Sequence, residues 1–257
     1  MTLEICNLTS AYNGTPVLTG VSDRLPGGQI TAVIGCNGAG KSTLFKAISG
    51  LCPMQGNIML DGCAQSLAHR RQSIAYMPQD IGASSSLTVL EVVLLGRLGA
   101  LGMRVPQGLA DQALTALDMF GLASLQTRTL DALSGGQRQL IFLAQALFRA
   151  PKVLLLDEPT AALDLRHQLL VLERVRAYAR STGTVVAIAM HDLTLAAQFS
   201  DRMAGLKDGR IVAAGPAETV LTPALLETMY GIEAEIETAA SGRLRVTPLR
   251  ATTAAER

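Results

Sequence analysis

The sequence has almost no net charge: 22 Lys and Arg against 21 Asp and Glu leave +1 at neutral pH. Nothing in that balance marks a nucleic-acid footprint. The chain has no apolar run long enough to span a bilayer and no signal peptide at Met1, which points to a cytoplasmic protein. Its four cysteines, Cys6, Cys36, Cys52 and Cys63, show no C-x-x-C pair and no zinc spacing, and read as free thiols in a reducing compartment. Charge of either sign is scarce: 17% of residues are charged, and mean hydropathy is +0.31. A surface so poor in charge implies either a large core or faces covered by partners. At 257 residues there is room for one large α/β domain with a full core.

Against those absences stands Gly35-Cys36-Asn37-Gly38-Ala39-Gly40-Lys41-Ser42-Thr43, which fits the P-loop pattern G-x-x-x-x-G-K-[ST]. Ile30 to Ile34 reads as a short buried strand after the turn Pro26-Gly27-Gly28, and Ser42 to Ser49 as a helix stopped by Gly50. Strand, glycine loop and helix N-terminus together form an anion site. Gly38 and Gly40 carry no Cβ, so backbone N–H groups can wrap a β-phosphate. Lys41 supplies a point charge for the β- and γ-phosphates, and the Ser42 hydroxyl can ligate Mg²⁺.

Leu3 to Leu8 alternates as a strand, and Asn13-Gly14 is a hairpin signal with Val17-Leu18 on the return. Tyr12 then sits at the edge of a small antiparallel sheet, with a ring able to stack on a purine. Residues 51–79 read as more of that sheet, with strands at Gly56 to Gly62 and Ser73 to Met77 and an exit at Pro78-Gln79. Residues 86–130 are helical in pattern. Leu87, Leu90, Val93 and Leu94 fall at helical spacing, and Leu109, Ala113, Leu117 and Phe120 form one stripe. Val89, Leu90, Val92, Val93, Leu94, Leu95, Leu98 and Leu101 exceed what one stripe buries, so part of this insert is expected to meet another protein.

Leu133-Ser134-Gly135-Gly136-Gln137 starts a helix through a capping box, Ser134 as N-cap with Gln137 three residues on; the helix runs to Pro151. Gly135 and Gly136 are poor helix formers and make sense where something approaches the bare N–H groups. This is a second anion site, and two copies facing each other would use both. Val153 to Leu156 is a continuous apolar strand that delivers Asp157 and Glu158 to its carboxyl end, where ligands gather in parallel sheets. Thr184 to Met190 is the next buried strand, ended by His191. His69 and His167 read as structural or surface residues. Gly205 to Val212 is a final hairpin whose Gly205 suggests a bulged or weak strand. Glu233 to Ile236 and Arg243 to Val246 can pair around Ser241-Gly242, and Ala251 to Arg257 reads as frayed.

In order and spacing these motifs resemble the ATP-binding-cassette (ABC) ATPases. Leu133 to Gln137 is similar to that family's signature, Val153 to Pro159 to its Walker B strand, Ala161-Ala162-Leu163-Asp164 to its D-loop, and His191 to its switch histidine. The resemblance implies one α/β domain over residues 1–257. Its P-loop NTPase core would have a mostly parallel sheet, an N-terminal antiparallel β subdomain, an inserted α-helical subdomain at about 86–150 and a C-terminal extension at about 231–257. It implies ATP and Mg²⁺ as ligands. Tyr12 would stack on adenine, and residues Gly35, Cys36, Asn37, Gly38, Ala39, Gly40, Lys41, Ser42 and Thr43 would hold phosphates. Ser134, Gly135, Gly136 and Gln137, with Asp164, would complete the site of a partner copy. Ser42, Gln79 and Asp157 would serve the metal. Glu158, as general base or water-positioning group, would carry hydrolysis with His191, Gln79 and Lys41.

Leu87 to Arg97, Leu133 to Leu147 and Val220 to Gly231 are similar to ATPases of importers for iron-siderophores, haem and vitamin B12. The implied partners are a second copy of the chain, two transmembrane permease subunits and, indirectly, a solute-binding protein, with no nucleic acid. The implied location is peripheral, at the cytoplasmic face of the inner membrane. An exporter subunit or a soluble ABC protein is the other reading. Soluble members usually carry two cassettes or a long coiled-coil insertion, and this sequence has neither. Cys36, beside Lys41 and a helix N-terminus, is a candidate reactive thiol.

Overall fold

The computed structural model describes residues 1–12, 14–80, 85–97, 106, 108–240 and 242–252. β1 (Thr2–Tyr12) and β2 (Thr15–Pro26) form a hairpin, then β3 (Ile30–Ile34) enters the main sheet and α1 (Lys41–Ser49) leaves it. β4 (Gln55–Leu60) and β5 (Cys63–Ala64) return to the hairpin, giving an antiparallel sheet in the order β2-β1-β4-β5. After α2 (Leu67–Ser73), β6 (Ile74–Met77) rejoins the main sheet. The helices α3 (Val89–Leu95), α4 (Leu109–Asp118) and α5 (Gly135–Phe148) come next. β7 (Val153–Asp157), α6 (Leu165–Thr182), β8 (Val185–Ala189) and α7 (Leu193–Phe199) then alternate before β9 (Arg202–Lys207) and β10 (Arg210–Gly215). α8 (Ala217–Val220) and α9 (Pro223–Tyr230) lead to a hairpin of β11 (Ile232–Thr238) and β12 (Leu244–Ala251).

The main sheet runs β10-β9-β3-β8-β7-β6, parallel throughout except for β10 at one edge. β3, β7 and β8 are buried at every position, as their largely apolar runs require of strands covered on both faces; Thr31 and Asp157 are the polar exceptions. Alternation sorts their side chains. Ile30, Ala32, Ile34, Leu154, Leu156, Val186 and Ile188 join the helical core on one face. Val33, Val153, Leu155, Val185, Ala187 and Ala189 pack on the other with Leu44, Phe45 and Ile48 of α1 and with Leu3 and Ile5 of the antiparallel sheet. The P-loop helix is thus sandwiched between the two sheets.

Ser73 to Met77 does not extend the antiparallel sheet: β6 pairs in parallel with β7, Ile74 opposite Val153 and Met77 opposite Leu156. Both its faces are covered, so nothing in its pattern distinguishes the two sheets. α2 was not legible because none of its residues is buried; Ser66 caps it by accepting from the His69 N–H at 3.2 Å. In the insert, Val89, Val92, Val93 and Leu94 are buried against Leu140, Leu143 and Ala144 of α5, so most of the apolar excess is the insert's own core. Leu95 is 40% exposed, while Leu98, Leu101 and the turn residue Asn13 lie outside the described residues. The stripe Leu109, Ala113, Leu117 and Phe120 is buried as expected. Among the described residues no helix is long and apolar enough to cross a membrane.

Gly205 sits inside β9 without bulging it. The register shift falls on β10, between Ile211 and Ala213. A Cβ at Gly205 would lie 2.8 Å from Met229 Sδ and 2.9 Å from its Cε, so the glycine makes room for α9. Gly205→Val is expected to cost about 1–3 kcal/mol through overpacking. In thermal denaturation that is a fall of about 5 °C, and an unchanged melting temperature would mean that Met229 simply swings aside.

The pairing expected on either side of Ser241-Gly242 is present as β11 and β12, Ile236 opposite Val246; Ala251 is the last residue of β12 rather than frayed, and Ser241 and residues 253–257 lie outside the described residues. The strand pair covers α7 through a bond from the Val246 N–H to Thr194 Oγ1 at 3.3 Å.

Candidate functional site

The loop between β3 and α1 is shaped by its glycines. Gly35 (φ 153°), Gly38 (φ 81°) and Gly40 (φ 106°) all have positive φ. A Cβ at Gly35 would lie 2.2 Å from the Leu206 carbonyl oxygen, and one at Gly40 would lie 2.9 Å from Leu18 Cδ2. At Gly38 the space is open, and that side of the loop is free for a ligand. No side chain caps α1 at Gly40, so the first N–H groups of the helix remain available to an anion. Lys41 is buried, and its Nζ donates to the carbonyls of Gly35 at 2.6 Å and Cys36 at 3.2 Å. Burial holds its pKa below that of an ordinary lysine, while the nearby charges of Glu158 and Asp157 pull it back up. Ser42 and Thr43 follow on the first turn of the helix.

Cys36 donates its thiol to the Met229 carbonyl oxygen at 3.0 Å, so it is partly covered by α9 rather than fully open at the loop. Asn37, Gly38, Ala39 and Cys36 line a cavity of about 190 Å³ with Lys207 and Asp208. Tyr12, 44% exposed at the end of β1, stands close to Thr43 and Cys52 on the α1 side.

Asp157 ends β7 with 1% exposure. Its Oδ2 accepts from the Tyr76 hydroxyl at 3.1 Å, and its buried Oδ1 has no partner among the described residues. Burial, and then the Asp157 charge, push the Tyr76 pKa well up, so the hydroxyl stays a donor. Glu158 follows in a left-handed backbone conformation, φ 51°, which turns its side chain away from that of Asp157. Gln79 Nε2 donates to Glu158 Oε2 at 2.7 Å, and His191 Nε2 meets Glu158 Oε1. Strand order makes this possible: β6, β7 and β8 are adjacent and parallel, so their carboxyl ends deliver Gln79, Asp157-Glu158 and His191 to one edge.

The second expected anion site is at the start of α5. Ser134 Oγ accepts from the Gln137 N–H at 3.2 Å, and Gln137 Oε1 accepts from the Ser134 N–H at 3.1 Å, the reciprocal capping box. Ser134 and Gly135 are exposed, and nothing crowds a Cβ at Gly135. Gly136 has a different reason to be glycine: a Cβ there would lie 3.2 Å from Leu163 Cδ2 and 3.3 Å from the Ala162 carbonyl oxygen. Asp164 caps α6, accepting from the His167 N–H at 2.9 Å and pairing with the His167 ring. Those bonds hold the Asp164 carboxyl below the usual carboxylate range, and His167 is accordingly a surface partner. A cavity of about 1030 Å³ is lined by Ser134, Gly135, Gly136, Gln137, Asp164 and His167 among others, and by no residue of the P-loop. Within one chain the two anion sites are therefore separate.

The sequence model of the ABC transporter family matches residues 18–161, more than half of the chain. This chain belongs to the ABC transporter family. Its relatives include the "Cobalamin import ATP-binding protein BtuD" of Halobacterium salinarum, 39% identical over 257 residues that cover 97% of this chain and 64% of that protein. They also include the "Hemin import ATP-binding protein HmuV" of Roseobacter denitrificans, 38% identical over 249 residues covering 93% and 94%. The chain thus spans just under two thirds of the cobalamin relative's length. Among solved structures, a chain of "a putative metal-chelate type ABC transporter" in an inward-facing conformation superposes with a TM-score of 0.83 at 29% identity, covering 97% of this chain and 98% of the other. The expected cassette fold is therefore present, with its antiparallel β subdomain and helices beside the mixed, mostly parallel sheet.

The chemistry of this edge fits a magnesium-bound nucleotide. Asp157 Oδ1 is a buried carboxylate oxygen left without a partner among the described residues, and such an atom suits a hard cation or a water bound to one. Ser42 and Gln79 carry the further side-chain oxygens that could hold such an ion. Two residues of the edge escaped sequence reading. Tyr76 lies in a buried strand, where a hydroxyl needs a partner, and Gln139 lies four residues before Leu143 in the apolar stripe of α5. Both are polar groups where the pattern calls for apolar ones.

Proposed function

We propose that this chain is the ATP-hydrolysing, nucleotide-binding subunit of an ABC importer for an iron-siderophore, haem, or a related metal chelate or cobalamin. The hydrolytic half rests on one observation: the Glu158 carboxylate is held between Gln79 and His191 beside Asp157. Gln79 and His191 fix the direction of the carboxylate, and Glu158 takes the proton of the attacking water as general base. Lys41 and the N–H groups of α1 hold the β- and γ-phosphates, and Tyr12 stacks on adenine. Bound through Ser42, Gln79 and Asp157, Mg²⁺ would neutralise phosphate charge. Gln79 and His191 would also contact the γ-phosphate, bringing it and the attacking water to the carboxylate they hold.

The separation of the two anion sites supports a working homodimer, in which Ser134, Gly135, Gly136 and Gln137, with Asp164, close the site of the partner. Hydrolysis then reopens the interface. The import direction and the chelate class rest on the relatives named for hemin and cobalamin import and on the metal-chelate neighbour. We place the subunit at the cytoplasmic face of the inner membrane against two permease subunits, with a solute-binding protein reached only through them.

A groove of about 310 Å³ supports the permease contact. It is lined by Leu95, Phe142 and Arg149 and by Tyr76, Met77 and Pro78, the three residues immediately before Gln79 in the chain. An apolar permease helix seated there would couple to Gln79 through Pro78. Leu95→Glu is expected to reduce co-purification with the permease about tenfold, while the melting temperature of the isolated subunit moves by about 2 °C or less. The decisive experiment reconstitutes the subunit with its permease in proteoliposomes. ATP-dependent accumulation of ferric siderophore, haem or cobalamin supports the importer. Turnover without any permease complex or uptake moves the chain to the soluble class, and outward movement makes it an exporter.

A further inference from the structure

We infer that Gln139 is a positioning residue for the Glu158 carboxylate, tying the helix that presents Ser134 and Gly135 to the catalytic edge of the same chain. The inference rests on the hydrolytic reading above. Gln139 is 5% exposed, and its Nε2 donates to the Glu158 carbonyl oxygen at 3.1 Å. Glu158 needs such support. Its φ of 51° is a conformation that a glutamate keeps only when its surroundings over-determine it. Three contacts do so: its N–H donates to the Ala189 carbonyl at 3.2 Å, and its own carbonyl accepts from the Ala161 N–H at 3.3 Å and from Gln139. β8, the D-loop turn and α5 thus converge on the backbone of one residue.

Packing alone does not explain a glutamine here. Its Oε1 is buried without a partner among the described residues, an unfavourable state that a leucine or methionine of similar volume would avoid. What the amide adds is the single bond to Glu158. That bond also links two functions. The N-terminus of α5 is exposed, and Gly136 backs closely onto Ala162 and Leu163. Engagement of Ser134 by the nucleotide of a partner chain would press on the same helix that holds Glu158. A shift of about 1 Å in a catalytic group is enough to change a rate by about 100-fold, so nucleotide at one site would set the carboxylate of the other.

The test uses Gln139→Met, which keeps length without a donor, and Gln139→Leu, which keeps apolar bulk without a donor. In full-length protein both are expected to lower kcat about 10- to 100-fold with KM for ATP within about threefold. Melting temperatures in the presence and absence of MgATP should stay within about 3 °C of wild type. Combined with Glu158→Gln, Gln139→Met should reduce the residual rate by no more than about twofold, because it acts through the group already removed. Unchanged kcat, a multiplicative loss in the double variant, or a rate loss matched by a loss of folded protein would each overturn the inference. Wild-type turnover in Glu158→Gln alone would remove the hydrolytic reading and this inference with it, a result distinct from the others.

Discussion

Glu158→Gln is expected to bind ATP within about threefold of wild type and to turn over about 1,000-fold more slowly, the scale of a lost general base. The substitution leaves the site's hydrogen bonding serviceable. Gln79 donates to one Glu158 oxygen and His191 faces the other. A glutamine amide can accept from Gln79 and donate to a neutral imidazole, so both contacts to the buried side chain are kept. What the amide cannot do is take a proton from water. The ATP-loaded homodimer should therefore accumulate, and size-exclusion chromatography in MgATP should show a dimer that wild-type protein loses as it hydrolyses. Rapid turnover in the variant would remove Glu158 from the role and leave Asp157 and the metal to carry the reaction.

Lys41→Met should abolish nucleotide binding at concentrations that saturate wild type, a loss of about 100-fold or more. Two unit charges about 4 Å apart near a protein surface interact by about 4 kcal/mol at an effective dielectric of 20, and solvation returns part of that. Lys41 is buried, held on the loop by the Gly35 and Cys36 carbonyls, and aimed where the phosphates would sit. The same burial lowers its pKa, so the unfolded chain binds this proton more tightly than the folded one. The linkage sign follows: between the lowered and the ordinary lysine pKa, stability rises with pH as the buried charge is relieved. At neutral pH the ammonium carries a desolvation cost, offset by its two carbonyl partners. The melting temperature of the ligand-free variant is therefore expected to stay within about 3 °C of wild type. The rise that MgATP produces in wild type should vanish, because a ligand stabilises only the state it binds. A normal thermal shift with MgATP in Lys41→Met would show that the lysine is not a phosphate ligand.

The sequence by itself determined the features that depend on neighbours close in the chain. The P-loop is contiguous, and glycine conformations at Gly35, Gly38 and Gly40 are local requirements. The capping box of Ser134 and Gln137 spans three residues, and the apolar runs of β3, β7 and β8 declare burial by composition alone. The C-terminal hairpin was legible from alternation on either side of its turn. Tertiary structure decided everything that depends on strand order. Whether Ile74 to Met77 joins the antiparallel or the parallel sheet is invisible in its residues, because a strand covered on both faces reads the same in either. Once β6 lies beside β7, Tyr76 meets Asp157, and Gln79 meets Glu158 from 79 residues away. The same holds for Gln139 beneath the Glu158 carbonyl, for Met229 over Gly205, and for the distance between a chain's signature and its own P-loop. Periodicity states which face of an element is buried and not what lies against it, since that choice is made by the register and packing of segments far apart in sequence.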